Sequence, residues 1–207
     1  MSSPALLFTG GCGPGKQFNR NMIPSCSYVC AADSGIETAI HLGYTVHEAI
    51  GDFDSLSSLD LLAHIPHIKL PEEKDVTDTE ALLQHIKSKG FTSYILVGGG
   101  EGRFDHLIHL YSLFSIYGPP EQWITAREQM ILVRDSKVLK TIPNNPLSII
   151  PAAAQGKSLV SSRHLHWELT KFPISMEQQS ISNKSYETTC EISVSGDPVF
   201  VLIPFPQ

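Results

Sequence analysis

At 207 residues, 42% of them hydrophobic, the chain is long enough for one large domain or two small ones, each with an ordinary apolar core and no need of disulfide staples. Acidic residues number 21 against 15 basic, and no Lys/Arg cluster occurs, which excludes the electrostatic footprint of a nucleic-acid binder. The four cysteines include no Cys-x-x-Cys pair, so they read as reduced thiols of a cytoplasmic protein rather than zinc ligands. The N-terminal residues lack the pattern of a signal peptide, and no apolar stretch reaches membrane-spanning length.

Ala5 to Phe8 is a short apolar run that opens onto Gly10, Gly11, Gly13, Gly15 and Lys16. The spacing from Gly10 to Lys16 is that of a P-loop, but Gln17 stands where a Mg²⁺-binding Ser or Thr is required. The segment therefore reads as a glycine loop lining a phosphate site from one side. Tyr28 to Ala32 is a second apolar run, ending at Asp33-Ser34-Gly35, after which Ile36, Ala39 and Ile40 recur at helical spacing up to Gly43.

Glu48 to Ile50 leads into Gly51-Asp52-Phe53-Asp54-Ser55. Alternation in an extended segment would point both carboxylates one way and Phe53 into the core. Two carboxylates held together repel, so the motif is either a divalent-cation site or an acidic cap on a helix from Ser57 to Ile65. Beyond Ile68 to Leu70 comes Lys74-Asp75-Val76-Thr77-Asp78-Thr79-Glu80. Thr77 and Glu80 have capping-box spacing for a helix through Leu82, Leu83 and Ile86 that stops at Gly90. Lys74, Asp75 and Asp78 stay unexplained by capping and sit where phosphate and metal sites are built.

Tyr94 to Val97 delivers Gly98-Gly99-Gly100-Glu101-Gly102-Arg103-Phe104-Asp105-His106. Consecutive glycines let the backbone approach a ligand, and Arg103 supplies a planar cation suited to phosphate oxygens. A helix from Asp105 carries Leu107, Leu110, Tyr111 and Phe114 and ends at Gly118-Pro119-Pro120. Strands alternating with helices predict a doubly wound, mostly parallel sheet, whose strand-end loops gather Asp33, Asp52, Asp54, Asp75, Asp78 and Arg103 at one edge. From Ile124 the texture becomes short β-prone segments, with strands expected at 124–126, 130–134, 138–142, 147–150, 157–160, 190–194 and 199–203, which predicts a small all-β sandwich. The expected division is an α/β domain over 1–136 and a β-sandwich over 137–207.

In order and spacing these motifs resemble thiamine pyrophosphokinase. The matching blocks are Ala32-Asp33-Ser34-Gly35, Gly51 to Ser55, Lys74-Asp75-x-Thr77-Asp78, and Gly98-Gly99-x-x-Gly102-Arg103-x-Asp105-His106, with weaker matches at Trp167-x-Leu169 and Ser180-x-Ser182-Asn183. The departures are Ser34, where many members have Gly, and His164 and His166 near the tryptophan. The resemblance implies transfer of the diphosphate of ATP to thiamine with Mg²⁺ and release of AMP. It also implies a homodimer, with the thiamine site between one subunit's catalytic domain and its partner's sandwich.

On that resemblance the metal ligands are Asp52, Asp54 and Asp78, with Asp75 and Asp33 as a further ligand or an alcohol-positioning carboxylate. Lys74 and Arg103 neutralise phosphates. ATP is held by Asp33, Ser34, Lys74, Thr77, Gly98, Gly99, Gly100, Gly102, Arg103, Asp105 and His106, and thiamine by Trp167, Ser182 and Asn183. The pairs His106/His109 and His64/His67 lack a third ligand for zinc. Competing readings are diphosphate transfer to another alcohol such as a hydroxymethylpterin, a nucleotide- or thiamine-binding module without turnover, and a Mg²⁺-dependent phosphatase.

Overall fold

The computed structural model describes residues 3–15 and 18–206, so Lys16 and Gln17 of the P-loop-like segment lie outside it. The chain is mixed α/β and falls into two compact units, residues 1–113 with 120–126, and residues 114–119 with 127–207.

The first unit is built on six parallel strands: β1 (Ala5–Phe8), β2 (Tyr28–Ala32), β3 (Glu48–Gly51), β4 (His67–Lys69), β5 (Tyr94–Val97) and β6 (Gln122–Ile124). Their order is β6-β5-β1-β2-β3-β4. β1 and β5 are continuous apolar runs because they are buried along their whole length, as strands covered on both faces must be. β4 is an edge strand, exposed at all three residues. The helices are α1 (Gly35–His41), α2 (Asp78–Ser88) and α3 (Phe104–Tyr117). In α2, Thr77 is the N-cap and its hydroxyl accepts from the Glu80 N–H at 3.2 Å, while Leu82, Leu83 and Ile86 form the buried face.

Two expectations differ. The helix expected from Ser57 to Ile65 is only a 3₁₀ turn, Leu59–Leu62. Pro66 disfavours helical backbone just before it, and so short a segment cannot offset the cost of helix nucleation. The run at 124–126 is displaced to Gln122–Ile124 and joins the parallel sheet beside β5.

At the N-terminal ends of β2 and β3, Glu48 gathers three partners. Its Oε2 accepts from the Tyr28 hydroxyl and faces His85 Nε2 at 2.8 Å and Lys89 Nζ at 3.0 Å. Burial alone would raise this carboxyl, but the Tyr28, Lys89 and His85 contacts outweigh it and hold it at about 2. A depressed carboxylate stabilises the fold above its unfolded pKa, and that contribution is lost as pH falls toward the folded value. Stability from urea unfolding is therefore expected to fall between about pH 5 and 2 more steeply in the wild type than in Glu48→Gln. Parallel slopes would contradict the assignment.

The second unit is antiparallel throughout. β12 (Ser180–Lys184), β9 (Pro146–Pro151), β14 (Val199–Pro204) and β7 (Glu128–Val133) lie side by side. So do β11 (Phe172–Ile174), β10 (Ser158–Arg163), β13 (Thr189–Gly196) and β8 (Ser136–Lys140). Burial alternates along β9 and the first half of β13, as period-two patterning requires when one face is covered. Leu147 and Ile149 from the first set share one apolar cluster with Val160, Cys190 and Ile192 from the second. Strands β11 and β12 were not among those expected, because Phe-Pro-Ile is too short and Ser-Ile-Ser-Asn-Lys too polar to stand out.

Candidate active site

The sheet order places the site. The chain leaves β1 toward β2, β3 and β4, then returns to the other side of β1 as β5. Where neighbouring parallel strands send the chain in opposite directions, their C-terminal ends leave a crevice, the usual ligand position in open α/β sheets. The loops after β1 and β5 meet at this reversal: Gly99 N–H donates to Gly10 O at 2.8 Å and Cys12 N–H to Gly100 O at 2.9 Å. Close approach explains the glycines. A Cβ on Gly98 would lie 2.3 Å from Thr9 O, and one on Gly100 would lie 2.6 Å from the Thr125 side chain. Trp123 Nε1 donates to Gly98 O at 2.7 Å and fixes the loop from beneath.

The resulting cleft has a volume of about 420 Å³. Its lining includes Asp33, Ser34, Asp52, Asp54, Thr77 and Asp78 on one side and Gly99, Gly102, Arg103 and His106 on the other. A second, more open cleft of about 360 Å³ holds Lys74, Asp75 and Asp105 and shares Thr77, His106 and His109 with the first. Gly98 and Gly100 line neither cleft; they carry the loop that does.

Asp52 and Asp54 do not converge by extended alternation. Phe53 has a φ of 63° and is buried, and Asp52 Oδ1 accepts from Asp54 N–H at 3.3 Å, so the segment is a tight Asx-type turn. A bulky residue in left-handed backbone costs roughly 1–2 kcal/mol, offset here by burying the Phe53 ring edge-on to His67. Asp33 is also left-handed, with a φ of 45°, and its N–H donates to Ile50 O at the end of β3. One oxygen from each of Asp33, Asp52 and Asp54 lies within 4.8 Å of the other two. The expected trio had Asp78 in place of Asp33; Asp78 Oδ1 instead lies 3.1 Å from Lys74 Nζ, which also bonds Asp52.

Four carboxylates thus gather at the cleft, and the Lys74 ammonium pairs with two of them, Asp52 and Asp78. Burial, with Asp78 and Asp54 nearby, pushes the Asp33 carboxyl up, while the Lys74 hydrogen bond holds Asp52 down. Burial works against the Lys74 charge, but Asp52 and Asp78 prevail and raise its pKa. Asp33 Oδ1 is buried without a hydrogen bond, and Asp78 Oδ1, equally buried, has only the Lys74 ammonium beside it. A buried, unbonded carboxylate oxygen beside two further carboxylates is costly alone and suits a small, hard cation with oxygen ligands, so the donor set of Asp33, Asp52 and Asp54 fits Mg²⁺.

Thr9, Thr79, Glu101 and His109 also line the main cleft. Hydroxyls of Thr9 and Thr79 bond each other and join the end of β1 to the start of α2. Thr79 could have been suspected from its place beside Asp78; Thr9 carries no signal beyond ending an apolar run. His109 Nε2 is 3.7 Å from Glu80 Oε2, a pairing across two helices that the histidine spacing did not suggest.

Trp167, Ser182 and Asn183 lie in the second unit and line neither cleft. The indole is 62% exposed, which rules out a core role. His166 lies beside it and edge-on to Tyr186. No helix among the described residues is long and apolar enough to cross a membrane.

A family model described as the catalytic domain of thiamin pyrophosphokinase matches residues 19–121. No curated protein sequence matches the chain. Its fold is similar to the solved thiamine pyrophosphokinase from Bacillus subtilis, with a TM-score of 0.76 at 16% identity over 99% of this chain and 100% of that one. A thiamin pyrophosphokinase family protein from Enterococcus faecalis gives 0.75 at 21% identity, with 99% and 100% covered. Yeast thiamin pyrophosphokinase gives 0.68 at 18%, with 99% and 87% covered. At these identities the structures establish likeness of fold alone.

Proposed function

Since the chain belongs to the thiamin pyrophosphokinase family through residues 19–121, we propose that it transfers the diphosphate of ATP to the hydroxyethyl oxygen of thiamine, giving thiamine diphosphate and AMP. The observation that carries this reading is the placement of Asp33, Asp52, Asp54 and Asp78, with the Asp33 Oδ1 atom buried and unbonded, beside a double glycine loop at the sheet reversal. That is a site for a metal-bound polyphosphate.

In such a transfer the acceptor oxygen bonds the β-phosphorus as the bond from that phosphorus to the α,β-bridging oxygen breaks, and the bridging oxygen leaves with AMP. Charge grows on the bridging and phosphoryl oxygens, so positioning and electrostatics dominate. Asp33, Asp52 and Asp54 would hold Mg²⁺, with Asp78 steadying Lys74 beside them. Bound there, the ion would supply charge neutralisation on phosphate oxygens. Lys74 offers a fixed cation, and the Gly98 to Gly102 loop gives the nucleotide a close backbone wall. Asp75, Asp105 and His106 border the second cleft, where they would hold the parts of the substrates next to the phosphates.

Arg103 is exposed and forms a fork with Asp105, at 2.6 Å and 3.2 Å. An exposed pair adds little to stability, and a guanidinium reaching phosphate should matter in binding. Arg103→Ala is expected to leave the melting temperature unchanged and raise KM for ATP about tenfold or more. An unaltered KM for ATP would remove Arg103 from the site.

We read the first sheet as doubly wound and the second unit as a β-sandwich that presents Trp167 and Ser182 to thiamine. The working form is a homodimer with thiamine bound between subunits, a reading supported by the exposure of Trp167, Phe104 and Ile108. Four free thiols, Cys12, Cys26, Cys30 and Cys190, support placing the protein in the cytoplasm. The test is incubation with thiamine, ATP and Mg²⁺ followed by chromatography. Thiamine diphosphate and AMP in equal amounts are expected; ADP with thiamine monophosphate would overturn diphosphate transfer.

A further inference from the structure

The register between β12 and β9 slips by one residue: Ser180 faces Ile149, but Asn183 faces Leu147. A bulge absorbs the extra residue, with Ser182 at a φ of 57° and its N–H donated to Ser148 Oγ at 3.0 Å. Bulges re-aim the side chains that follow them. Here the bulge leaves Ser182 exposed and Asn183 only 3% exposed.

Beyond the bulge, the chain after β10 makes a short antiparallel contact with the end of β12. Leu165 stands opposite Ser185, and His166 N–H donates to Lys184 O at 2.8 Å. Tyr186 N–H donates to His164 O at 3.2 Å, so the bonds flank the Leu165–Ser185 pair, and two residues further Trp167 stands opposite Asn183 in the same kind of pair, whose backbones do not bond each other. The Asn183 side chain supplies a pair of bonds there. Trp167 N–H donates to Asn183 Oδ1 at 3.3 Å, and Asn183 Nδ2 donates to Trp167 O at 2.8 Å. Lys184 N–H also donates to Oδ1, at 2.8 Å, so both lone pairs of that oxygen are in use. A side-chain amide carries the same donor and acceptor as a peptide, so Asn183 adds a rung that the two backbones would not make, at the point where the chain carrying the indole leaves the ladder.

We propose that Asn183 is a positioning residue: it clamps the Trp167 backbone and so holds the exposed indole as a fixed platform for the ring of the acceptor substrate, without touching the substrate itself. The assignment rests on the proposed function for the identity of the acceptor, and it replaces the expectation that Asn183 contacts thiamine. Preorganisation of this kind lowers the ordering cost of binding, so its loss should appear in KM for the acceptor alone.

The test is a double-mutant cycle of Asn183→Ala and Trp167→Ala, read as KM for thiamine and for ATP. Asn183→Ala is expected to raise KM for thiamine about tenfold while KM for ATP stays as in the wild type. In the double variant, Asn183→Ala should add nothing to the loss caused by Trp167→Ala. Independent, multiplying losses would show that Asn183 meets the substrate directly and would overturn the proposal, as would a matching rise in KM for ATP. Amide hydrogen exchange in the ligand-free protein reads the clamp without any substrate: Asn183→Ala should speed exchange at Trp167 and Lys184, and unchanged exchange would overturn it. If the wild-type protein turned over no thiamine, faster exchange at Trp167 would still establish the clamp, and the failure would fall on the reading of function.

Discussion

Asp54→Asn is expected to lower turnover about a thousandfold and to leave the melting temperature in metal-free buffer equal to or above that of the wild type. Activity falls because the substitution removes one of three carboxylates that would hold the cation against the phosphates. Stability does not fall because Asp54 is exposed and stands close to Asp33 and Asp52, whose like charges it repels. Its contact with the Ser55 hydroxyl, 2.9 Å, is a surface bond. A residue whose loss removes function while relieving repulsion belongs to a site shaped for function at some cost in stability. Thermal unfolding in chelator, measured beside steady-state turnover, checks both halves. Near-normal turnover, or a drop of many degrees in melting temperature, would show that the acidic turn is structural.

Gly98→Ala has the largest expected effect on the fold, a loss of about 4 kcal/mol. The residue has a φ of 97°, and the added Cβ would lie 2.3 Å from Thr9 O, a backbone atom that cannot swing aside. Relief requires parting the loops after β1 and β5, which breaks the Gly99 to Gly10 hydrogen bond and opens the glycine wall of the cleft. Gly102→Ala is the control. Its φ is 87°, but nothing lies within 4 Å of the new Cβ, so only the backbone cost of about 1 kcal/mol applies. Urea unfolding of the two variants should separate them clearly. Equal, small losses would mean that the loops do not pack as described.

Much of the catalytic unit was legible because its signals are local. Each apolar run ending in an acidic or glycine-rich turn became a strand with its loop at one edge, and the convergence of Asp33, Asp52, Asp54 and Asp78 followed from parallel-sheet topology. What escaped depended on tertiary contact. Lys74 read as a free cation for phosphate, yet its charge is shared between Asp52 and Asp78, which only the meeting of the α2 N-terminus with the end of β3 could reveal. Asp33 entered the compact trio because its left-handed backbone turns it toward β3, and no residue pattern announces that φ. In the second unit, β11 and β12 are short or polar, and the role of Asn183 depends on a bulge and a cross-chain register.

The destination of the β-phosphorus of ATP tests the proposed transfer most directly. With ATP radiolabelled at that atom, thiamine and Mg²⁺, label is expected in thiamine diphosphate in equal measure with the AMP formed. Label retained in ADP, or released as free phosphate with thiamine unchanged, would contradict it.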